Sequence, residues 1–157
     1  MKITFLYLSI GLAAGLLFVN IYTSIVDAAS WNSAFPESVL NARKYFTVVN
    51  PGTFFRIFSP LNQVVALACL VLFWKVPAVR TYLGVALLLF VATEALTFAF
   101  FYPRNGIIFT ANMVENAQGI KKALNEWIFM NWVRSIILSC GVICSMMGLH
   151  TWYQIKN

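Results

Sequence analysis

Two side chains that are charged at neutral pH, Glu94 and Arg134, stand inside long apolar segments of the chain. An ionised group facing lipid costs about 3 kcal/mol or more, so we expect both side chains to face the interior of a helix bundle, towards each other. A carboxylate held there could move a proton, and a guanidinium could stabilise an oxyanion. The pair therefore indicates either acid–base chemistry or a structural ion pair inside a membrane.

Uncharged polar residues fall at the same depth as this pair. Asn20, Asn62, Glu94 and Arg134 each lie several residues from that end of an apolar segment which adjoins a long connector. At about 1.5 Å per residue, this places them roughly 9 to 13 Å below one membrane face. The opposite halves of the same segments carry no formal charge. The sequence therefore predicts a bundle with one dry half and one polar half.

A candidate site follows from this layer. Trp127, Asn131 and Arg134 are spaced i, i+4 and i+7, which places them on one face of a helix. We assign catalysis to Glu94, Arg134 and Asn131, with the asparagine and the arginine orienting an oxyanion. Further polar and aromatic residues are assigned to substrate binding: Asn20, Tyr22, Asn62, Thr97, Trp127 and Trp132. Two interpretations stay open, a pocket for a small lipophilic molecule and a closed ion pair whose remaining hydrogen bonds the asparagines satisfy.

The elements that position these residues are four apolar segments of membrane-crossing length. The composition, 61% hydrophobic and 10% charged, exceeds what a soluble core of 157 residues could bury. Pro77, in a short connector, makes the second and third segments antiparallel neighbours. We predict an all-α integral membrane protein, an antiparallel four-transmembrane-helix bundle forming a single domain over 1–157. The expected spans cover residues 3–26, 56–74, 79–102 and 128–152.

The two long connectors, about 27–55 and 103–127, should share the membrane face opposite to the termini. Pro36 to Phe46 has proline at a first helical position followed by scattered apolar residues, which predicts a short interfacial helix. Pro103 is expected to end the third helix. The stretch from Gly119 to Glu126 is expected to wind directly into the fourth helix.

Small residues one helical turn apart predict where helices approach closely. Gly11 and Gly15 form such a pair in the first span, and Gly141 and Ser145 form another in the fourth. Without side chains of any bulk, these positions let neighbouring backbones come into contact. We interpret both pairs as packing features of the bundle.

The charge distribution indicates a lipid environment. The net charge is +6, but the basic residues are scattered over helix ends and connectors, so nucleic acid is not expected as a partner, whereas anionic lipid headgroups are. The start of the chain, Lys2 followed by an apolar run to Val26, is typical of a retained signal anchor. We expect a multi-pass protein of a bacterial inner membrane with cytoplasmic termini.

Several chemistries lack the residues they need. His150 is the single histidine, so neither a bis-histidine haem nor a histidine-rich metal site is expected. The sequence contains no phosphate-binding loop, dinucleotide fingerprint or nucleophile elbow. Its three cysteines lie within apolar segments and show no disulfide spacing. We therefore expect no metal and no cofactor.

The pattern Trp127-x-x-x-Asn131-x-x-Arg134-Ser135, preceded by Pro103-x-Asn105, resembles the anthrone-oxygenase-like family of small four-span membrane proteins, largely a domain of unknown function. The resemblance implies that Pro103, Asn105, Trp127, Asn131 and Arg134 are signature residues, which adds Asn105 to the binding candidates. It also implies cofactor-independent oxygenation of an anthrone-like polyketide, known for some members. Where the family leads us to expect a histidine beside the asparagine, this chain has Trp132, so an imidazole base is missing there.

Two hypotheses about function result. In the first, the polar half-bundle binds a small lipophilic aromatic or quinone-like molecule and acts on it as a cofactor-independent oxygenase. In the second, the protein is a non-catalytic accessory or assembly subunit that docks on a membrane protein partner, or on a second copy of itself, through its small-residue faces and connectors. Co-purification after mild solubilisation separates them, because the first predicts a retained small molecule and the second a stoichiometric protein.

Overall fold

The computed structural model describes residues 2–156, and nearly all of them are helical. Seven α-helices and two π-helical turns follow one another in this part of the chain. In order they are α1 (Lys2–Tyr22), a π turn (Thr23–Asp27), α2 (Ala28–Ser33), α3 (Glu37–Tyr45), α4 (Pro51–Leu72), α5 (Pro77–Leu96), a second π turn (Thr97–Phe101), α6 (Tyr102–Thr110) and α7 (Ala117–Lys156).

Four continuous helical stretches are long and apolar enough to cross a membrane: Lys2–Ser33, Pro51–Leu72, Pro77–Thr110 and Ala117–Lys156. Helix α1 packs against α4 and α7, and α5 packs against the same two helices. Since successive crossings run in opposite directions, every one of these contacts joins antiparallel helices. The predicted antiparallel four-helix membrane bundle is confirmed, and so is the short connector helix, α3.

All four long helices extend beyond the predicted spans, and the second does so by beginning at Pro51. The first continues to Ser33, the third to Thr110, and the fourth begins at Ala117, as the expected winding from Gly119 onwards indicated. The prediction that Pro103 ends the third helix is wrong. This proline occupies the first turn of α6, where a missing N–H costs no intrahelical bond, directly after the π turn Thr97–Phe101.

The half of the bundle near the termini has a densely packed apolar core. One cluster of buried residues joins α1, α4 and α5, and it consists of Leu6, Val65, Cys69, Phe73, Val79 and Leu83. A second cluster lies next to it, at mid-bundle, and consists of Ala13, Ala66, Ala86, Phe90, Leu138 and Val142. This part of the structure holds the helices in the positions from which the polar residues project.

The two small-residue pairs have different surroundings. A Cβ added at Gly141 would collide with the Phe90 ring, so the close approach predicted for α7 is confirmed there. Gly11 and Gly15 are exposed, and an added Cβ at either would meet nothing within 4 Å. The prediction of helix contact at the α1 pair is therefore wrong within a single chain, because α1 presents its other face, with Ala13 and Leu16, to the bundle.

Candidate functional site

Arg134 is buried in the bundle, with 6% of its surface exposed. Its Nε donates to Asn20 Oδ1 at 2.7 Å, its Nη2 to Asn131 Oδ1 at 2.7 Å, and its Nη1 to Thr97 Oγ1 at 3.5 Å. The guanidinium carbon lies 4.2 Å from the centre of the Phe101 ring. Neutral oxygens and an aromatic face hold this cation, so its positive charge stays available to a further group.

The two asparagines form one network that joins α1 to α7. Asn20 Nδ2 donates to the Asn131 carbonyl at 3.1 Å and to Ser135 Oγ at 2.7 Å. Asn131 Nδ2 donates to the Asn20 carbonyl at 3.2 Å and to Ser24 Oγ at 2.6 Å. Both side chains are fully buried, and each also accepts a bond from Arg134. Their hydrogen-bonding groups are occupied in positioning the arginine.

A cavity of about 500 Å³ lies beside this network. It is bounded by α2 and α3, the beginning of α4, the continuous α5–α6 stretch and α7. Its walls combine aromatic, hydroxyl, amide and charged side chains with part of the connector before α4. The lining residues are Thr23, Trp31, Arg43, Phe46, Asn50, Pro51, Gly52, Phe55, Arg56, Glu94, Thr97, Phe101, Tyr102, Asn105, Gly106, Phe109, Thr110, Trp127 and Arg134.

The two π turns lie at this cavity. Thr23 lines it from the first turn, and Thr97 and Phe101 line it from the second. A π turn adds one residue to a helical turn, which rotates the side chains on either side of it relative to one another. Both irregular turns therefore contribute side chains to the cavity wall, next to Glu94 of α5 and Asn105 of α6.

Glu94 is half-buried and lines the cavity together with Arg134. It also borders a smaller space of about 20 Å³, whose other polar neighbours include Ser59, Asn62 and Gln63. Among residues 2–156 the ion pairs are Arg104 with Glu126 at 2.8 Å and Lys122 with Glu126 at 4.0 Å. The expected direct pairing of Glu94 with Arg134 is therefore wrong, because the asparagine oxygens occupy two of the guanidinium nitrogens.

Trp127 combines burial with an unsatisfied donor. The side chain is 5% exposed and packs edge-on against Trp31 and Phe101, with ring centres 5.4 and 5.6 Å away. Its Nε1–H has no hydrogen-bond partner among the described residues. A buried N–H normally has a partner, since leaving it unmade costs roughly 1 to 3 kcal/mol. Trp127 lines the cavity, so the unpartnered donor belongs to a residue of the cavity wall.

The structure brings together five of the predicted site residues in the cavity wall: Glu94, Thr97, Asn105, Trp127 and Arg134. Asn20 and Asn131 lie behind Arg134, and Asn62 borders the smaller space. Tyr22 and Trp132 are outside both spaces, since 56% and 44% of their surfaces are exposed on the outside of the bundle. They were expected to wall the cluster, but the first precedes the π turn of its helix and the second lies one residue past Asn131, on another helical face.

Sequence reasoning missed several lining residues that come from the first connector and the start of α4. Arg43, Phe46, Phe55 and Arg56 line the cavity, and Trp31 joins them from α2. None of them lies inside a predicted span at the depth of the polar layer. A prediction from that depth therefore did not include them. A signal was available, because basic and aromatic residues lie together on both sides of Asn50-Pro51-Gly52.

Fold and site together define a multi-pass helical membrane protein with a polar, aromatic-walled cavity between its helices. The family model for anthrone oxygenase matches residues 52–144. The chain therefore belongs to the anthrone oxygenase family, as the resemblance of its fourth span suggested. The match begins in α4 and ends within α7, so it includes Glu94, Trp127 and Arg134 but neither Asn20 nor Arg43. No curated protein and no solved structure matches the chain.

Proposed function

We propose that this protein binds a flat, lipophilic, oxygen-bearing aromatic molecule in the cavity and oxygenates it without a cofactor. The observation that carries the proposal is the Trp127 N–H, buried and unpartnered in the wall of a cavity that also contains the unpaired charge of Arg134. Cavities of about 300 to 1,000 Å³ are typical of small-molecule sites. Family membership supplies the reaction class, and the cavity supports the kind of ligand.

The walls suit a polycyclic aromatic substrate. Ring faces and edges are presented by Trp31, Phe55, Phe101, Phe109 and Trp127. Such surfaces hold flat rings by offset and edge-on packing. Arg134 and Trp127 provide donors for a ring carbonyl oxygen, and these donors bond more strongly once that oxygen becomes an enolate. The ligand enters from the connector face or from the lipid, which is where an apolar substrate accumulates.

Glu94 is the proton-moving residue in this proposal. Its carboxylate removes a proton from a ring CH₂ that is conjugated with the carbonyl, and Arg134 stabilises the resulting enolate. The electron-rich carbon then reacts with O₂ and forms a peroxide anion at that carbon, which takes the proton back from Glu94. Loss of water leaves a second carbonyl, so the CH₂ is oxidised to C=O. One oxygen atom of O₂ remains in the product and the other departs in the water.

Asn20 and Asn131 act as positioning residues. Each accepts one bond from Arg134 and is itself held by a bond to the other's backbone. A guanidinium held in this way needs no reorientation when negative charge develops on the substrate, which is how preorganised sites lower a barrier. The asparagines thus support the oxyanion without lying in the cavity wall.

The proposal places the protein in a bacterial inner membrane with cytoplasmic termini and the cavity near the opposite face. The short basic segments at the terminal face, with Lys2 and Lys75, support this orientation. A reporter enzyme that is active only outside the cytoplasm, fused after Lys156, should be inactive, whereas the same reporter inserted after Val114 should be active. The opposite result would reverse the orientation without affecting the site.

The test uses the purified chain in nanodiscs with anthrone as the probe, following O₂ uptake and the absorbance of anthraquinone above the uncatalysed rate. Glu94→Gln should lower kcat by about 100-fold or more while anthrone still binds, because only the proton acceptor is lost. Glu37→Gln, an exposed carboxylate on α3, is the matched control and should leave the rate unchanged.

Ligand retention provides the second readout. Native mass spectrometry of the mildly solubilised wild type should show a retained aromatic molecule, and Arg134→Ala should lose it while circular dichroism reports an intact helical fold. If Arg134→Ala unfolds, Trp127→Phe takes its place, since it removes one donor and keeps the ring. The proposal is overturned if the wild type neither retains nor turns over an aromatic molecule and co-purifies instead with a stoichiometric membrane protein.

A further inference from the structure

The cavity carries more positive than negative charge. Three arginines line it, Arg43, Arg56 and Arg134, against one carboxylate, Glu94. None of the three is in an ion pair with a described residue. Uncompensated cations in a partly enclosed space attract anions, because the low-dielectric walls strengthen the field there. This excess is larger than the single oxyanion of the proposed reaction requires.

Arg43 lies far from the reaction end of the cavity. Its Nε and Nη2 donate to the Ile108 carbonyl at 3.0 and 2.5 Å, and its Nη1 donates to the Ala111 carbonyl at 2.9 Å. Ile108 follows Glu94 by 14 residues in one continuous helical stretch. The rise along the helix axis between these two residues is therefore about 20 Å. Backbone carbonyls accept from all three nitrogens of this guanidinium but leave its net charge uncompensated, and two of its five N–H groups have no acceptor among residues 2–156.

The beginning of α4 adds to the same positive region. Asn50, Pro51 and Gly52 line the cavity where this helix of 22 residues begins, and Arg56 follows one turn later. Pro51 has no N–H and the Asn50 side chain caps the Thr53 N–H, so the helix contributes its partial positive charge, about half a unit, which favours anions. Arg56 is exposed and makes one long bond, from Nε to the Gly52 carbonyl at 3.4 Å. Its guanidinium can therefore turn towards a ligand at little cost.

We infer that the substrate is an elongated aromatic acid, whose carboxylate binds to Arg43, Arg56 and the beginning of α4 while its carbonyl end extends along the cavity towards Trp127 and Arg134. This inference rests on the proposed function and specifies its substrate class. Arginine suits the role because its planar group binds a carboxylate through two parallel N–H···O bonds. The two ends together orient the ring system along the cavity, with the reacting carbon next to Glu94.

The experiment compares 2-anthracenecarboxylate with its methyl ester, using their fluorescence to measure Kd in nanodiscs of zwitterionic lipid. The acid should bind about ten-fold tighter than the ester, in line with the roughly 1.4 kcal/mol expected of a charge-assisted contact. Arg56→Glu should abolish this preference and weaken the ester little. Lys44→Glu is the matched control, since Lys44 is exposed on the same connector face and does not line the cavity.

The outcomes separate the two proposals. If the acid and the ester bind equally, or if Lys44→Glu removes the preference as fully as Arg56→Glu, the aromatic-acid inference is overturned and the proposed function stands. If neither compound binds, the proposed function fails as well. Nanodiscs containing phosphatidylglycerol decide whether a lipid headgroup is the occupant instead. The acid should keep its preference there, and its displacement by this lipid would overturn the inference.

Discussion

The two halves of the bundle are made from the same four helices but differ in helix regularity and in how their interiors are filled. Near the termini the helices are regular and the interior is filled by side chains such as Leu6 and Phe73, both fully buried. Near the connectors two helices contain π turns, α4 contains Pro60, and an apolar cluster that includes Trp31, Phe101 and Trp127 lies beside a hydrogen-bond network and a cavity. The comparison indicates that side-chain packing closes the terminal half, whereas the connector half combines packing and hydrogen bonds with a site.

The largest effect should come from removing the centre of the polar network. Asn20→Ala deletes the acceptor of Arg134 Nε and the donor to Asn131 and Ser135. It leaves a buried cation short of one partner, so we expect the free energy of unfolding to fall by about 2 to 4 kcal/mol. Thermal unfolding in nanodiscs measures this change.

Asn105→Ala is the matched control, because Asn105 lines the cavity and makes no side-chain hydrogen bond within the described chain. Its stability should equal that of the wild type. Equal losses in the two variants would contradict the view that Asn20 belongs to a structural network and Asn105 to a ligand wall.

In the dry half, a substitution should lower the free energy of unfolding through lost side-chain packing. Leu6→Ala creates a void in the cluster around Phe73, and we expect about 2 to 3 kcal/mol of destabilisation with no change in affinity for an aromatic probe. Leu8→Ala on the lipid-facing side, where 51% of the side chain is exposed, should change stability by less than about 0.5 kcal/mol. A loss of probe binding in folded Leu6→Ala would break the proposed division between the halves.

The boundary between the halves can be tested at a single glycine. Gly141→Ala places a methyl group against the Phe90 ring and should cost about 1 to 3 kcal/mol, since overpacking forces neighbours apart. Phe90→Leu in the same chain should restore part of the loss, because a shorter side chain vacates the contact. Gly15→Ala, with open space around its Cβ, should be neutral or stabilising. Chemical denaturation of the three variants and the wild type provides the comparison.

Trp127→Phe should change stability least of all these substitutions, and its effect should be confined to ligand binding. Trp127→Phe removes an N–H that has no partner, so unfolding should be unchanged or slightly harder, whereas affinity for the aromatic probe should fall about five-fold through the loss of one hydrogen bond. Trp152→Phe removes an equally buried and unpartnered N–H in the dry half, beside Phe73. Titration of both variants should show weaker binding in the first alone.

The charge and depth of the polar residues were sufficient to predict the inward-facing layer. Glu94, Thr97, Trp127 and Arg134 lie in one cavity wall, because a membrane leaves polar side chains of a bundle little choice of direction. Which of them contact each other was less predictable. Arg134 pairs with two asparagine oxygens and not with Glu94, and this choice depends on angles between α1 and α7 that spacing along one helix does not contain.

The sequence alone determined the four apolar crossings, their antiparallel order and the division into a dry and a polar half, because hydropathy and charge act through the solvent on each segment separately. The tertiary structure decided where the helices deviate from α geometry, why Pro103 lies within a continuing helix, and that Gly141 is packed while Gly11 faces outwards. It also brought Arg43 of the connector to the cavity. These features depend on contacts between segments distant in the chain, which no local pattern specifies.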